Sequence, residues 1–129
     1  MKQLSKEDII KETARFYNQT NRGYNHSDGL CVYLAPDGNK CAVGRCILSK
    51  HMNKVKKFDG GVKELEWHLN TEHDMPFENV LKEKYRGHSR GFWIDLQDFH
   101  DTDEHFDYDG LTGAGKKHLE VLLDKYKEQ

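Results

Sequence analysis

Leu30-Cys31-Val32-Tyr33-Leu34 and Lys40-Cys41-Ala42-Val43-Gly44 flank the run Pro36-Asp37-Gly38-Asn39, and the reading of this stretch decides the fold class. The first segment is rich in β-forming residues. The middle carries turn chemistry, because proline presets φ and glycine accepts positive φ. The spacing predicts a hairpin over residues 30–44, and with it a fold that is not purely helical. Upstream, Ser5 and Asp8 have the spacing of a capping box, and Ile9, Ile10, Thr13, Phe16 and Tyr17 recur at helical intervals. These residues predict a helix over 6–18. The intervening Asn18 to Gly29 is polar and reads as a loop.

Downstream, Arg45-Cys46-Ile47-Leu48 either continues a strand or starts a helix toward Met52; a short apolar run leaves 45–52 open. Lys50 to Lys57 holds four lysines and no acid, which reads as a solvated linker. Val62, Leu65 and Leu69 predict a helix near 62–70. Pro76, with Phe77, Val80, Leu81 and Tyr85, predicts another over 77–86. Phe92, Leu96 and Phe99, with Trp93 and His100 on a neighbouring stripe, predict a helix over 91–101. Thr112 stands where it can cap a last helix over 113–127, with Leu119, Leu122, Leu123 and Tyr126 on its apolar face. The expected architecture is α+β, a single domain of four or five short helices packed on a small antiparallel hairpin or sheet.

The 129 residues fit one domain, and 20 Lys+Arg against 22 Asp+Glu leave a formal charge of −2. Charged residues make up 33% of the chain, above the ~25% of typical globular proteins, so the core is modest and leans on six Phe, six Tyr and two Trp. No stretch approaches the ~18 apolar residues of a membrane span, and the first residues carry charge with no apolar signal core. The expectation is a cytoplasmic protein with no membrane partner. Three cysteines are an odd count for a disulfide framework.

Cys31, Cys41 and Cys46 lack the close pairing that presents two thiolates to zinc from one turn. His51, His68 or His73 could complete a set after folding, yet free Cys on a hairpin is ordinarily a small buried hydrophobe. Arg45 beside Cys46 is the one adjacent hint of an activated thiol. Asp95 to Asp109 holds seven acids, two His and no Lys or Arg, a field suited to a cation or a basic partner. Its end, His105 to Gly110, matches half a calcium loop, but Lys116 stands where the bidentate Glu is required; a solvated acidic loop is the simpler reading. His100-Asp101 could be a metal-binding dyad, although a cation at a helix end is the simpler role for His100. Lys40, Arg45, Lys50, Lys54, Lys56 and Lys57 form a basic region that could meet nucleic acid, without interleaved stacking aromatics.

Cys31-Val-Tyr33, the turn ending in Gly38-Asn-Lys40, and Cys41-Ala-Val-Gly44, followed later by Leu96-Gln97-Asp98-Phe99-His100-Asp101 and by Leu111-Thr112 with Gly115, resemble a family of small uncharacterised phage and bacterial proteins. The likeness covers roughly residues 9 to 123. Arg22 stands where that family places an arginine, and Arg45-Cys46 departs from its usual pattern. The resemblance implies no activity. It directs attention to a Cys-bearing hairpin and a helix ending in His100-Asp101. If these pack together, Arg22, Tyr33, Cys41, His100 and Asp101 edge one polar pocket; Arg45 completes the candidate binding residues. With no complete catalytic set, no cofactor motif and no assigned metal ligand, the leading expectation is an accessory binding protein with a protein partner, acting on a host or viral macromolecule. The alternatives are a metal-dependent hydrolase using His100, Asp101 and nearby carboxylates or Cys, and a nucleic-acid binder using Lys40 to Lys57.

Overall fold

Ser5 starts the first helix as its spacing predicts: its hydroxyl accepts the Asp8 amide at 3.1 Å, and its own amide donates to the Asp8 carboxylate at 3.4 Å. The structure, a computed structural model, describes residues 3–18, 20–22, 24–25, 30–31, 33–34, 38–55 and 61–127. Its helices are α1 (Lys6–Phe16), α2 (Val62–His73), α3 (Phe77–Val80), α4 (Arg90–Asp101) and α5 (Gly113–Tyr126). Two antiparallel ribbons accompany them. β1 (Tyr24–Asn25) pairs with β2 (Leu30–Cys31), and β3 (Phe106–Asp107) with β4 (Gly110–Leu111). The architecture is α+β, predominantly helical. Among the described residues no helix is long and apolar enough to cross a membrane.

The hairpin predicted over 30–44 is replaced by a different pairing. Leu30–Cys31 runs back against Tyr24–Asn25, inside what reads as a polar loop. Lys40 makes an isolated parallel bridge to Arg22, and Gly44–Cys46 is a 3-10 turn. Residues 35–37 of the expected turn lie outside the described residues. The chain bends after Lys40 because Cys41, Ala42, Val43 and Cys46 are all buried, which an alternating strand with one solvated face could not achieve. The open question at 45–52 resolves into three pieces: the 3-10 turn, a bridge from Ile47 to Leu81, and a 3-10 helix Ser49–Lys54. That last helix buries Met52, with Val55 buried just beyond, so this part of the expected linker joins the core.

The same bridge divides the helix expected over 77–86. The Leu48 amide donates to the Val80 carbonyl and the Lys82 amide to the Cys46 carbonyl, both at 2.8 Å, so this backbone is spent on a neighbouring segment. Only Phe77–Val80 is α-helical, and Glu83–Tyr85 forms a 3-10 turn. α1 ends at Phe16, which is 49% exposed instead of packed inward, while Tyr17 turns into the core. α2 runs past the expected 70 to His73 and stops where Asp74 takes φ 48°, a left-handed position that a short polar side chain tolerates.

α1 and α4 both pack against α5, and α2 packs against α4. Phe92, Trp93, Leu96 and Phe99 make α4 the central helix, joined by Ile9 and Ile10 of α1, Leu65 and Leu69 of α2, and Leu122 of α5. Ser89 and Thr112 cap α4 and α5 by accepting the Phe92 and Gly115 amides at 3.4 and 3.0 Å.

Candidate functional site

α4 places Gln97, His100 and Asp101 within two turns, and the chain before and after Cys41 wraps against them. Arg22 is 5% exposed; its Nε donates to the His100 carbonyl at 2.9 Å, and its guanidinium lies 5.6 Å from the Phe106 ring centre. The His100 side chain is fully buried. Its Nδ1 is 2.7 Å from Asp101 Oδ1, and because a carboxylate only accepts, Nδ1 carries the proton. Tyr17 packs edge-on against the imidazole at 4.7 Å and donates its hydroxyl to the Lys40 carbonyl at 2.6 Å.

Burial pushes the His100 pKa down, Asp101 opposes this, and the Arg22 charge adds to it. The cationic helix-end role expected for His100 is therefore corrected: at the end of α4 it is a neutral core imidazole. Gln97 extends the network. Its Nε2 donates to Asp101 Oδ1 at 2.9 Å, and its Oε1 accepts the Val43 amide at 3.1 Å. The helix that ends in the His-Asp pair is thereby tied to the Cys-bearing turn.

In that turn the Gly44 amide donates to Cys41 Sγ at 3.3 Å, and the Cys46 thiol donates to the Ala42 carbonyl at 3.4 Å. A Cβ on Gly44 would meet the Tyr33 carbonyl oxygen at 2.2 Å, so glycine is what lets the two backbones touch. Cys41 and Cys46 are both free and buried. Burial raises the Cys41 thiol far above its ordinary range and pushes Cys46 up to about 12, with the Arg45 charge opposing the latter. Burial also raises the Tyr33 phenol, reinforced by the nearby Cys41 and Asp101. Neither sulfur is a thiolate at neutral pH. The side chain of Cys31 lies outside the described residues.

Arg22, Tyr33, Cys41, His100 and Asp101 are thus brought together: the first four are buried, and Asp101 stands at their edge, on the wall of a cleft. Arg45 belongs to an adjoining network, which Tyr17 links to His100. Its guanidinium donates to Glu12 at 2.6 Å, to the Tyr85 hydroxyl at 3.2 Å and to Thr13 Oγ1 at 3.3 Å, and lies 5.2 Å from the Phe16 ring centre. Tyr85 also donates to Glu12. Burial alone would raise the Glu12 carboxyl; the hydrogen bonds from Tyr85 and Arg45 hold it below its ordinary value. This inward turn removes Arg45 from the basic region. Lys54 Nζ meets His51 Nδ1 at 3.1 Å, while Lys56 and Lys57 lie outside the described residues.

Among the described residues no three His, Cys, Asp or Glu converge in a group that could hold a metal ion. His68 faces the Lys54 carbonyl and His73, and the half calcium loop folds on itself, with Asp107 accepting the Asp109 amide. Beside the polar core, a cleft of about 280 Å³ separates the start of α2 (Gly61 to Glu64) from Ile94, Gln97, Asp98 and Asp101 of α4. Gln97 and Tyr17 stand outside the candidate site residues that the sequence offers, although the motif holds the one and the first helix the other. The position of Gln97 among Trp93, Leu96 and His100 was the available signal, because a polar residue in that register faces inward. Set beside known proteins, the chain matches no family model, no curated protein and no solved structure.

Proposed function

We propose that this chain is a small binding protein of the phage accessory type, which modulates a host or viral macromolecule through a protein contact and performs no chemistry of its own. One observation carries the reading: of the side chains best suited to chemistry, Cys41, Cys46 and His100 are buried and spent on holding the fold together, and Tyr33 is buried beside them. The thiols and the phenol are moved away from their reactive anionic forms. Recognition then belongs to the exterior, where Trp67 and Tyr108 stand 66% and 72% exposed.

Two measurements test this. Iodoacetamide labelling followed by peptide mass mapping should leave Cys41 and Cys46 unmodified in the native protein and modify both in denaturant; rapid native labelling of either contradicts the structural role. Immobilised protein should capture a specific macromolecule from bacterial lysate, and the purified complex should saturate and weaken with Trp67→Ser or Tyr108→Ser. Recovery of no specific macromolecule, together with small-molecule turnover lost in His100→Ala, rejects the reading.

A further inference from the structure

We propose that the cleft between the first turn of α2 and the outer face of α4 receives an arginine side chain from the protein partner. The inference rests on the binding reading above and names the chemistry of the contact. The volume, about 280 Å³, lies just below the ~300 Å³ at which sites for drug-sized ligands begin, so it suits one long side chain. Val62 and Ile94 provide apolar walls for a methylene stem, and Asp98 and Asp101 provide carboxylates for its charged head.

The carboxylates are unevenly compensated. Asp95, Asp98 and Asp101 follow one another at three-residue steps on α4. Asp95 is taken by Lys125 at 2.7 Å and by the Tyr126 hydroxyl. Asp101 accepts both His100 and Gln97 on Oδ1, and its Oδ2 has no partner among the described residues. The Asp98 carboxylate has neither a hydrogen bond nor an ion pair among the described residues. Burial raises its pKa, and the charges of Asp101 and Asp95 raise it further, a repulsion that an incoming cation would relieve.

The opposite wall does not cancel this charge. Glu64 Oε2 lies 3.0 Å from where a Cβ on Gly61 would sit, so this carboxylate folds back over the start of α2 and takes up its positive end. Among the described residues of the lining, Lys63 is then the one cation, against three acids. A planar guanidinium can present parallel N–H groups to Asp98 and to the open oxygen of Asp101, which a point charge cannot. With no third ligand in reach among the described residues, the pair is poorly matched to a metal ion.

The experiment is a titration of 15N-labelled protein with acetyl-Gly-Arg-Gly-amide, with acetyl-Gly-Gln-Gly-amide and MgCl2 as comparisons, all at one ionic strength. The arginine peptide should give saturable shifts confined to the amides of 61–64 and 94–101, with affinity reduced about five-fold or more in Asp98→Asn. That variant should keep the wild-type spectrum elsewhere, since the Asp98 carboxylate makes no hydrogen bond or ion pair among the described residues and its carbonyl still accepts the Thr102 hydroxyl. Equal binding by the glutamine peptide, equal arginine affinity in the variant, or the same Asp98-dependent shifts with MgCl2 overturns the proposal. So does a five-fold gain of peptide affinity in Lys56→Gln/Lys57→Gln, which would make the chain's own lysines the occupant. If the arginine peptide fails while a captured macromolecule binds wild type and Asp98→Asn equally, the cleft proposal falls and the binding reading stands.

Discussion

Gly44 and Gln97 set the tolerances of the site at the scale of single residues. A methyl group on Gly44 would overlap the Tyr33 carbonyl by more than an ångström of ordinary contact distance, and the obstacle is backbone, which cannot swing aside. Gly44→Ala should therefore lower the unfolding free energy by about 2 to 3 kcal/mol, read as a shift of the urea midpoint. A neutral outcome would mean that residues 33 and 44 do not touch. Gln97 differs in kind: it supplies no charge, yet it satisfies a buried amide on one segment and a carboxylate on another. The resemblance motif contains it, but a glutamine on a helix is ordinarily a solvated residue, so its bridging role emerges only from the packing of α4.

At the scale of elements, Thr112 joins two pieces of structure. Its hydroxyl accepts the Gly115 amide at the start of α5 and donates to the Glu104 carbonyl in the turn after α4. Thr112→Ala removes both bonds, and a loss of about 1 to 2 kcal/mol is expected by chemical denaturation, with Thr112→Ser recovering most of it. Caps of this sort are readable in sequence because the partners sit three residues apart, as with Ser5 and Asp8. The β-ribbons were not readable. Pro36 to Asn39 announced a turn, but turn chemistry does not name the strands it joins, and the Tyr24–Asn25 to Leu30–Cys31 pairing involves two residues a side. The division of 77–86 was hidden for the same reason, since what ends α3 is a backbone partner thirty-odd residues away at Cys46 and Leu48. Helix existence follows from local periodicity, whereas strand partners and the fate of Arg45 follow from tertiary contacts.

At the scale of the whole molecule, stability depends on histidines kept neutral. Burial lowers the pKa of His100, and of the partly buried His88 and His118, below the ordinary 6.5. In the unfolded chain these rings take up protons as pH falls below about 6.5, whereas the folded protein resists doing so. The stability they contribute is thus complete above that value and is lost as pH falls toward their folded pKa values. The urea midpoint should fall between pH 7.5 and pH 5.5, a window in which most carboxylates stay ionised. An unchanged midpoint would contradict a neutral imidazole at position 100. The convergence of Arg22, Cys41, His100 and Asp101 was visible in outline from the motifs, but whether they form an opening or an interior could not be read from spacing, because burial is a property of everything packed around them.

The Gln97 carboxamide has a final consequence, which concerns ageing. Hydrolysis of that amide would leave a glutamate of nearly the same shape, but with a second anion where a donor to Asp101 had been. Like charges would then oppose each other along α4, while the bond from the Val43 amide, which a carboxylate oxygen also accepts, would persist. The residue that ties the Cys41–Cys46 turn to α4 therefore contains its own slow point of chemical failure, on the wall of the cleft.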